Sequence, residues 1–456
     1  MRLEINSDAA RNYNLKADAL IAKVVEIHPP PQENLGSFSP DIHIQGHFDT
    51  KDIVGGMTLF SKDRWGNIRS KNTSVGDKQL GLLEEGYQEL VGIAKGILKN
   101  RQLKEAVSFE TLSNQLFDWV ITKSVNKNNL SMTDYVISEC EKLIEESEIW
   151  IPISALHIQS EFEIGKVTFK TISREMLDEW ERSTRSAIPN MTDDANVKLG
   201  ARFIKHRKEM QGFAAATIKV TAEKQRAYEI AYEEANTAIS LLRVFAPMNY
   251  SPTTTCYCAP LGKQHVDGQT ILLVKNENIV GLNSRISGNS PEPWFLDDRE
   301  LFDCAKCGLG VVSNWAKEGR KTDFQESLFS ALLLYSRSSL AKEISDKLVY
   351  ILVSLESMLL RDQNEPIQDN LSSRMALLSD KTPQERKEIV QNVKRIYSIR
   401  SQFIHHGQNV DTEHLIDIET FMGNAWLTIG KLIQIAHAGT SKQDFFDDLE
   451  LRRLSG

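Results

Sequence analysis

Near its C-terminal end the chain carries Arg400, Ser401, His405 and His406 within the string YSIRSQFIHHG, residues 397–407. A guanidinium keeps its charge at any ordinary pH and can grip the non-bridging oxygens of a phosphate with two parallel hydrogen bonds. An imidazole that titrates near neutrality can take the proton of a ribose 2′-hydroxyl or return one to a leaving oxygen. The small hydroxyl of Ser401 adds a positioning donor. Such a set suits an RNA phosphodiester and needs no metal. The same spacing also fits a plainer arrangement, in which Arg400 pairs with a core acid and His405 is an ordinary histidine at a helix end.

A helix must hold these residues. Ile389, Val390, Val393, Ile396, Tyr397 and Phe403 recur at helical spacing, and at about 100° per residue Arg400 points into the same apolar stripe. Thr382, Pro383 and Glu385 read as its cap, first turn and capping-box acid, and Gly407 as its stop. An inward arginine needs an anion. The best candidate in the chain is Glu356, at the edge of the apolar arc formed by Ile344, Leu348, Ile351, Leu352, Leu355, Met358 and Leu359 on a helix over residues 341–361. A helix over 327–340 precedes it. A short one, LSSRMALLS, capped by Asn370 and carrying Arg374, follows it. After the motif, residues 413–438 give a last amphipathic helix through Ile416, Ile418, Phe421, Trp426, Ile429, Ile433 and Ile435. These pieces predict an up-and-down bundle of about four long helices and one short one.

The motif and its surroundings resemble the HEPN domain, whose ribonuclease members carry an Arg, a polar residue and, a few positions on, a His. The fuller string IYSIRSQFIHHG is similar to the Apea-like HEPN branch, in which a Tyr, an Arg-Ser pair, an aliphatic residue and a His-Gly close the helix. Tyr397, Arg400, Ser401, Ile404 and His405 match, and His406 stands between the matched His and Gly407, so either histidine is open to the proton role. Glu356 in an LEXXL context and Arg374 on a short helix are also similar to that branch. The resemblance covers about the last quarter to third of the chain. It implies a metal-independent endoribonuclease that works by 2′-hydroxyl attack and leaves a cyclic phosphate. His405 or His406 would carry the proton, Arg400 would clamp the phosphate, Ser401 would position it, and Glu356 would support them. Arg374, Lys387, Lys394, Arg395 and Tyr397 would meet RNA, with tRNA among the candidate substrates. It further implies a homodimer through the bundle and a role as a toxin-like effector in bacterial defence against phage, with the N-terminal two thirds sensing a trigger or regulatory protein. The alternative from a different class is a non-catalytic HEPN adaptor or dimerisation module.

Composition narrows the partners. A formal charge of −8 excludes a protein that coats nucleic acid indiscriminately. The cations are local: Lys381, Arg386, Lys387, Lys394, Arg395 and Arg400 face only Glu385 and Glu388 over the same stretch, although a solvated helix face is the ordinary cause of such a strip. No apolar run approaches the roughly 18 residues of a membrane span, and the N-terminus has no signal-peptide core. Five cysteines, an odd number, do not form a disulfide framework, which suits a reducing cytoplasm. No cofactor is expected. The metal alternative is a structural zinc clamped by Cys256 and Cys258 (CYC) with Cys304 and Cys307 (CAKC), against which stand the unusual C-x-C spacing and the frequency of cysteines in cores. His43 and His47 would share a strand face but lack a third ligand.

The fold class read from the whole chain is α+β, with a mixed N-terminal region followed by an all-α bundle. Residues 1–148 form an irregular or strand-like start and then helices. Residues 149–320 form a middle α+β region, with β-rich runs at IWIPISAL, FEIGKVTFKTI and TILLVKNENIVGL. Within it, residues 197–245 read as two helices, the second capped by Thr221. Residues 321–440 are the bundle and 441–456 a tail.

Overall fold

The computed structural model describes residues 2–27, 58–76, 78–125, 130–188, 192–263, 268–275, 278–286, 293–362, 364–379, 381–406 and 412–455, without the side chains at 58, 59, 268–275, 278–286, 404–406, 412 and 455. His43, His47 and Gly407 lie outside these residues, as do the side chains of His405 and His406. The architecture is α+β with a C-terminal helical bundle. Two compact units divide the chain, one of residues 1–148 with 219–230 and the other of residues 149–218 with 231–456.

In the first unit, helix α1 (Ser7–Ile21) leads into strands β1 (Val24–Glu26), β2 (Thr58–Lys62), β3 (Ile68–Val75) and β4 (Lys78–Leu82), ordered β1-β4-β3-β2 and antiparallel throughout. Helices α2 (Glu84–Ile97), α3 (Arg101–Ala106), α4 (Phe109–Val125) and α5 (Met132–Leu143) follow. Their apolar faces meet in one core, with Leu90, Leu112, Leu116, Phe117, Trp119 and Val136 buried. Asn6, Asn100 and Ser131 cap α1, α3 and α5 through their side-chain oxygens, as short polar residues do at helix starts.

Strand β5 (Ile144–Ser154) carries the chain from the first unit into the second, which continues with β6 (Leu156–Ile158), β7 (Phe162–Ile164) and β8 (Val167–Thr171), then α6 (Arg174–Ala187) and α7 (Asp193–Met210). Strand β9 (Ala214–Glu223) and helix α8 (Lys224–Val244), of which residues 219–230 belong to the first unit, come next, so residues 197–245 hold a helix, a strand and a helix where the sequence predicts two helices. Thr221 lies in the strand and caps nothing. The run AAATIKV is short, apolar and almost wholly buried, and a fully buried strand loses the alternation that distinguishes it from a helix. Strands β10 (Ala259–Pro260), β11 (Gly268–Lys275), β12 (Asn278–Ile286) and β13 (Trp294–Leu296) complete the β structure. The main sheet has the order β10-β5-β9-β8-β7, while β11 with β12, and β13 with β6, form separate pairs.

From here the chain is helical: α9 (Asp298–Cys304), a π-helical turn over Ala305–Leu309, α10 (Gly310–Glu318), α11 (Asp323–Tyr335), α12 (Ile344–Leu359), α13 (Ile367–Leu378), α14 (Pro383–His406), α15 (Leu415–His437) and α16 (Lys442–Ser455). Cys304 and Cys307 therefore sit on helix, not on the β-rich patch. Gly308 breaks the helical path with φ 126°, and a side chain there would meet Ile433 of α15 at 3.0 Å. Asn370 falls inside the first turn of α13, whose cap position is Pro366. Residues 442–455 form a helix where the sequence reading sets a tail apart. It buries Phe445, Phe446 and Leu449, with the Phe445 ring stacked on Phe324 at 4.8 Å. The core crosses residue 320 without a break, because Trp426 donates to the Val244 carbonyl and Arg243 to the Ser336 carbonyl. The middle region and the bundle are one packed unit.

Candidate functional site

Helix α14 carries the motif, and its start has the capping geometry read from sequence. The Thr382 amide donates to Glu385 Oε2 at 2.8 Å and the Glu385 amide to Thr382 Oγ1 at 3.4 Å. Ile389, Asn392, Val393, Ile396 and Ile399 are buried in line along the helix. That line runs slightly to one side of the predicted stripe, so Arg400 stands at its edge and keeps its side chain 26% exposed. Asn392 pins the helix to the start of α15, donating to the Asp417 carbonyl at 2.8 Å.

Helix α12 brings Glu356 to the same place. Its carboxylate lies 3.8 Å from Arg400 Nη1 and accepts a 2.8 Å hydrogen bond from the Tyr397 hydroxyl on the same oxygen. Burial and the neighbouring carboxylate push the Tyr397 phenol above its ordinary range, so it stays a neutral donor. The guanidinium is thereby anchored on one side only: its Nε is shut off from solvent and has no hydrogen-bond partner among the described residues. Ser401 is exposed on the following position. His405 and His406 end the helix, one and a half turns beyond Arg400. An aligned guanidinium that keeps its side chain 26% exposed, a surface hydroxyl and a helix end bearing two histidines can receive an anion and exchange a proton beside it.

The other sequence-predicted contacts fall into different places. Arg374 is committed within the chain, with two parallel bonds to Glu365 at 2.7 and 2.8 Å, another to the Leu359 carbonyl at 2.6 Å, and its face over the Phe446 ring. That pairing holds the Glu365 carboxyl below its ordinary range. Arg374 thus ties α13 to neighbouring segments and has little left to offer RNA. Lys394 and Arg395 are exposed but paired, with Asp369 and Asp417 respectively, each at 2.8 Å. Tyr397 turns its hydroxyl to Glu356 and supports the arginine from inside. Lys387 remains exposed on the outer face.

All five cysteines are free thiols. Cys256 and Cys258 are buried beside Arg243 and Lys347, whereas Cys304 donates to the Phe245 carbonyl and is pushed up to about 12 by burial. No group of three or more metal-ligating side chains occurs among the described residues, so the two cysteine pairs do not converge into the four-sulfur clamp considered from sequence. Two cations against the first pair also suit a thiolate better than a dication. Sequence reasoning missed these buried cations, because nothing in the spacing of Arg243 or Lys347 distinguishes them from surface residues. Among the described residues, no helix is long and apolar enough to cross a membrane.

No protein-family model matches the chain, and neither a curated protein nor a solved structure gives a match.

Proposed function

We propose that the chain is a metal-independent endoribonuclease of the HEPN type, with its reaction centre at the C-terminal end of α14. The observation that carries this reading is Arg400, 26% exposed and oriented by Glu356 and Tyr397, a turn and a half before two histidines. In the reaction the 2′-oxygen attacks phosphorus, the bond to the 5′-oxygen breaks, and a 2′,3′-cyclic phosphate results. One of His405 and His406 moves the proton, Arg400 steadies the charge gathering on the non-bridging oxygens, and Ser401 donates to one of them. Two copies meeting through their bundles would set two such ends along one groove. The cellular role consistent with such chemistry is a toxin-like effector in defence against phage, restrained by the rest of the chain.

The Glu356–Arg400 pair also favours a second reading, since a satisfied ion pair can be purely structural. In that reading the chain is a non-catalytic adaptor. Incubating total cellular RNA and purified tRNA with the full chain in EDTA separates the two. Wild type is expected to yield discrete products with cyclic-phosphate ends, reduced at least a hundredfold in Arg400→Ala and in one of His405→Ala and His406→Ala, roughly the scale of lost acid–base catalysis. Equal and negligible cleavage by all forms, under conditions where each is folded, would favour the adaptor. Light scattering of the same samples checks the dimer.

A further inference from the structure

The sequence places its basic strip on one helix, but the fold adds a second. Helices α13, α14 and α16 enclose an open groove of about 360 Å³, floored by Leu377 and Val390 and rimmed by Arg386, Lys387, Arg452 and Arg453. Arg452 and Arg453 each lean on an acid of their own helix, Asp448 at 2.8 Å and Glu450 at 2.6 Å. Both pairs are half exposed, and contacts of that kind contribute only about 0–1 kcal/mol, so a phosphate can compete for the guanidinium. Lys387 is exposed, and Nε of Arg386, shut off from solvent, has no hydrogen-bond partner among the described residues.

We propose that this groove is a phosphodiester-binding subsite that holds the RNA strand at a distance from the scissile bond; the inference rests on the ribonuclease reading. A strand of regularly spaced charges fits better than an isolated anion, because Arg386 and Arg400 lie on one rigid helix, 14 residues apart. They are separated by roughly 21 Å along the axis and only roughly 40° around it. In each, Nε is shut off from solvent and lacks a hydrogen-bond partner among the described residues. Between them, Lys394 and Arg395 are already paired with Asp369 and Asp417. The path therefore has cationic ends and a neutralised middle, which suits a polyanion gripped at two points. Among the described residues that line it, the groove has no aromatic ring to stack a base. Its grip is on the backbone, and it is indifferent to base sequence.

The test uses the full chain and fluorescence anisotropy of a short labelled single-stranded RNA across a salt series, with the cleavage assay run in parallel. Lys387→Glu combined with Arg453→Glu reverses two exposed charges of the groove, and Lys198→Glu on α7 controls for a general change in charge. The double variant is expected to bind about tenfold more weakly or worse, with the salt slope reduced by about two. The control should bind as wild type does. Wild-type affinity and slope in the double variant would overturn the inference while leaving cleavage intact. Groove-dependent binding without cleavage by any form would sink the nuclease reading and keep the subsite. Failure of the wild type to bind RNA, or groove-dependent binding of polyglutamate in its place, would overturn the inference and assign the groove to an acidic protein.

Discussion

Lys347 is only 1% exposed, on the inner side of α12, with its ammonium donating to the Thr254 carbonyl. Burial lowers its pKa to about 8. Between that value and the ordinary lysine pKa of about 10.4, the unfolded chain binds more protons than the folded one, so this residue's contribution to stability rises with pH across that window. Below about pH 8 the contribution is at its least favourable. Urea unfolding of wild type and Lys347→Met at about pH 7.5 and about pH 10 should show wild type gaining relative to the variant at the higher pH. An unchanged difference would mean that the ammonium is solvated in the folded state. Nothing in DKLVYILV marks this lysine as buried. The loop that supplies its acceptor is 93 residues away, and the local rule for lysine points outward. Arg400 and Glu356 differ in this respect. On the sequence Glu356 sits at the edge of one apolar arc and Arg400 points into another, and an inward arginine needs an anion. Their proximity was legible before the fold was known.

At the scale of the element, α14 is a helix whose start is locally encoded. Thr382 and Glu385 satisfy two amides that the first turn leaves open. Replacing Thr382 with Ala should cost about 1 kcal/mol, read as a lower urea midpoint, and loosen amide protection over the first turn only. A loss of protection that extended to Tyr397 would show that the cap, rather than core packing, sustains the motif. Local encoding fails for β9. Ala214 to Ile218 are buried without a break, so the first half of the strand lacks the alternation that its second half shows, and the run reads as helix. It also fails for α13, where Asn370 looks like a cap but the helix starts three residues earlier at Ile367. The cap position there is Pro366, with no side-chain cap, so a capping residue type in the sequence does not by itself fix where a helix begins.

At the scale of the whole molecule, α16 closes the bundle through contacts far apart in sequence. Phe445 is 2% exposed and stacks on Phe324 of α11. Phe445→Ala should therefore cost about 3–5 kcal/mol in urea unfolding of the full chain, as a cavity at a core aromatic does. A surface tail would tolerate the change. The order of helices around the motif was determined by the sequence alone, because amphipathic periodicity and capping depend only on near neighbours along the chain; the sequence named Glu356 as a candidate for Arg400, and the packing of α12 on α14 made the pair. Only the tertiary structure decided that the middle region and the bundle share one core, that Arg374 serves Glu365, that the cysteine pairs stand apart, and that α16 lines a groove with α14. Each of these depends on which distant segment supplies the partner for a given surface. That choice follows from how all the apolar faces pack at once, so no local pattern of residues contains it.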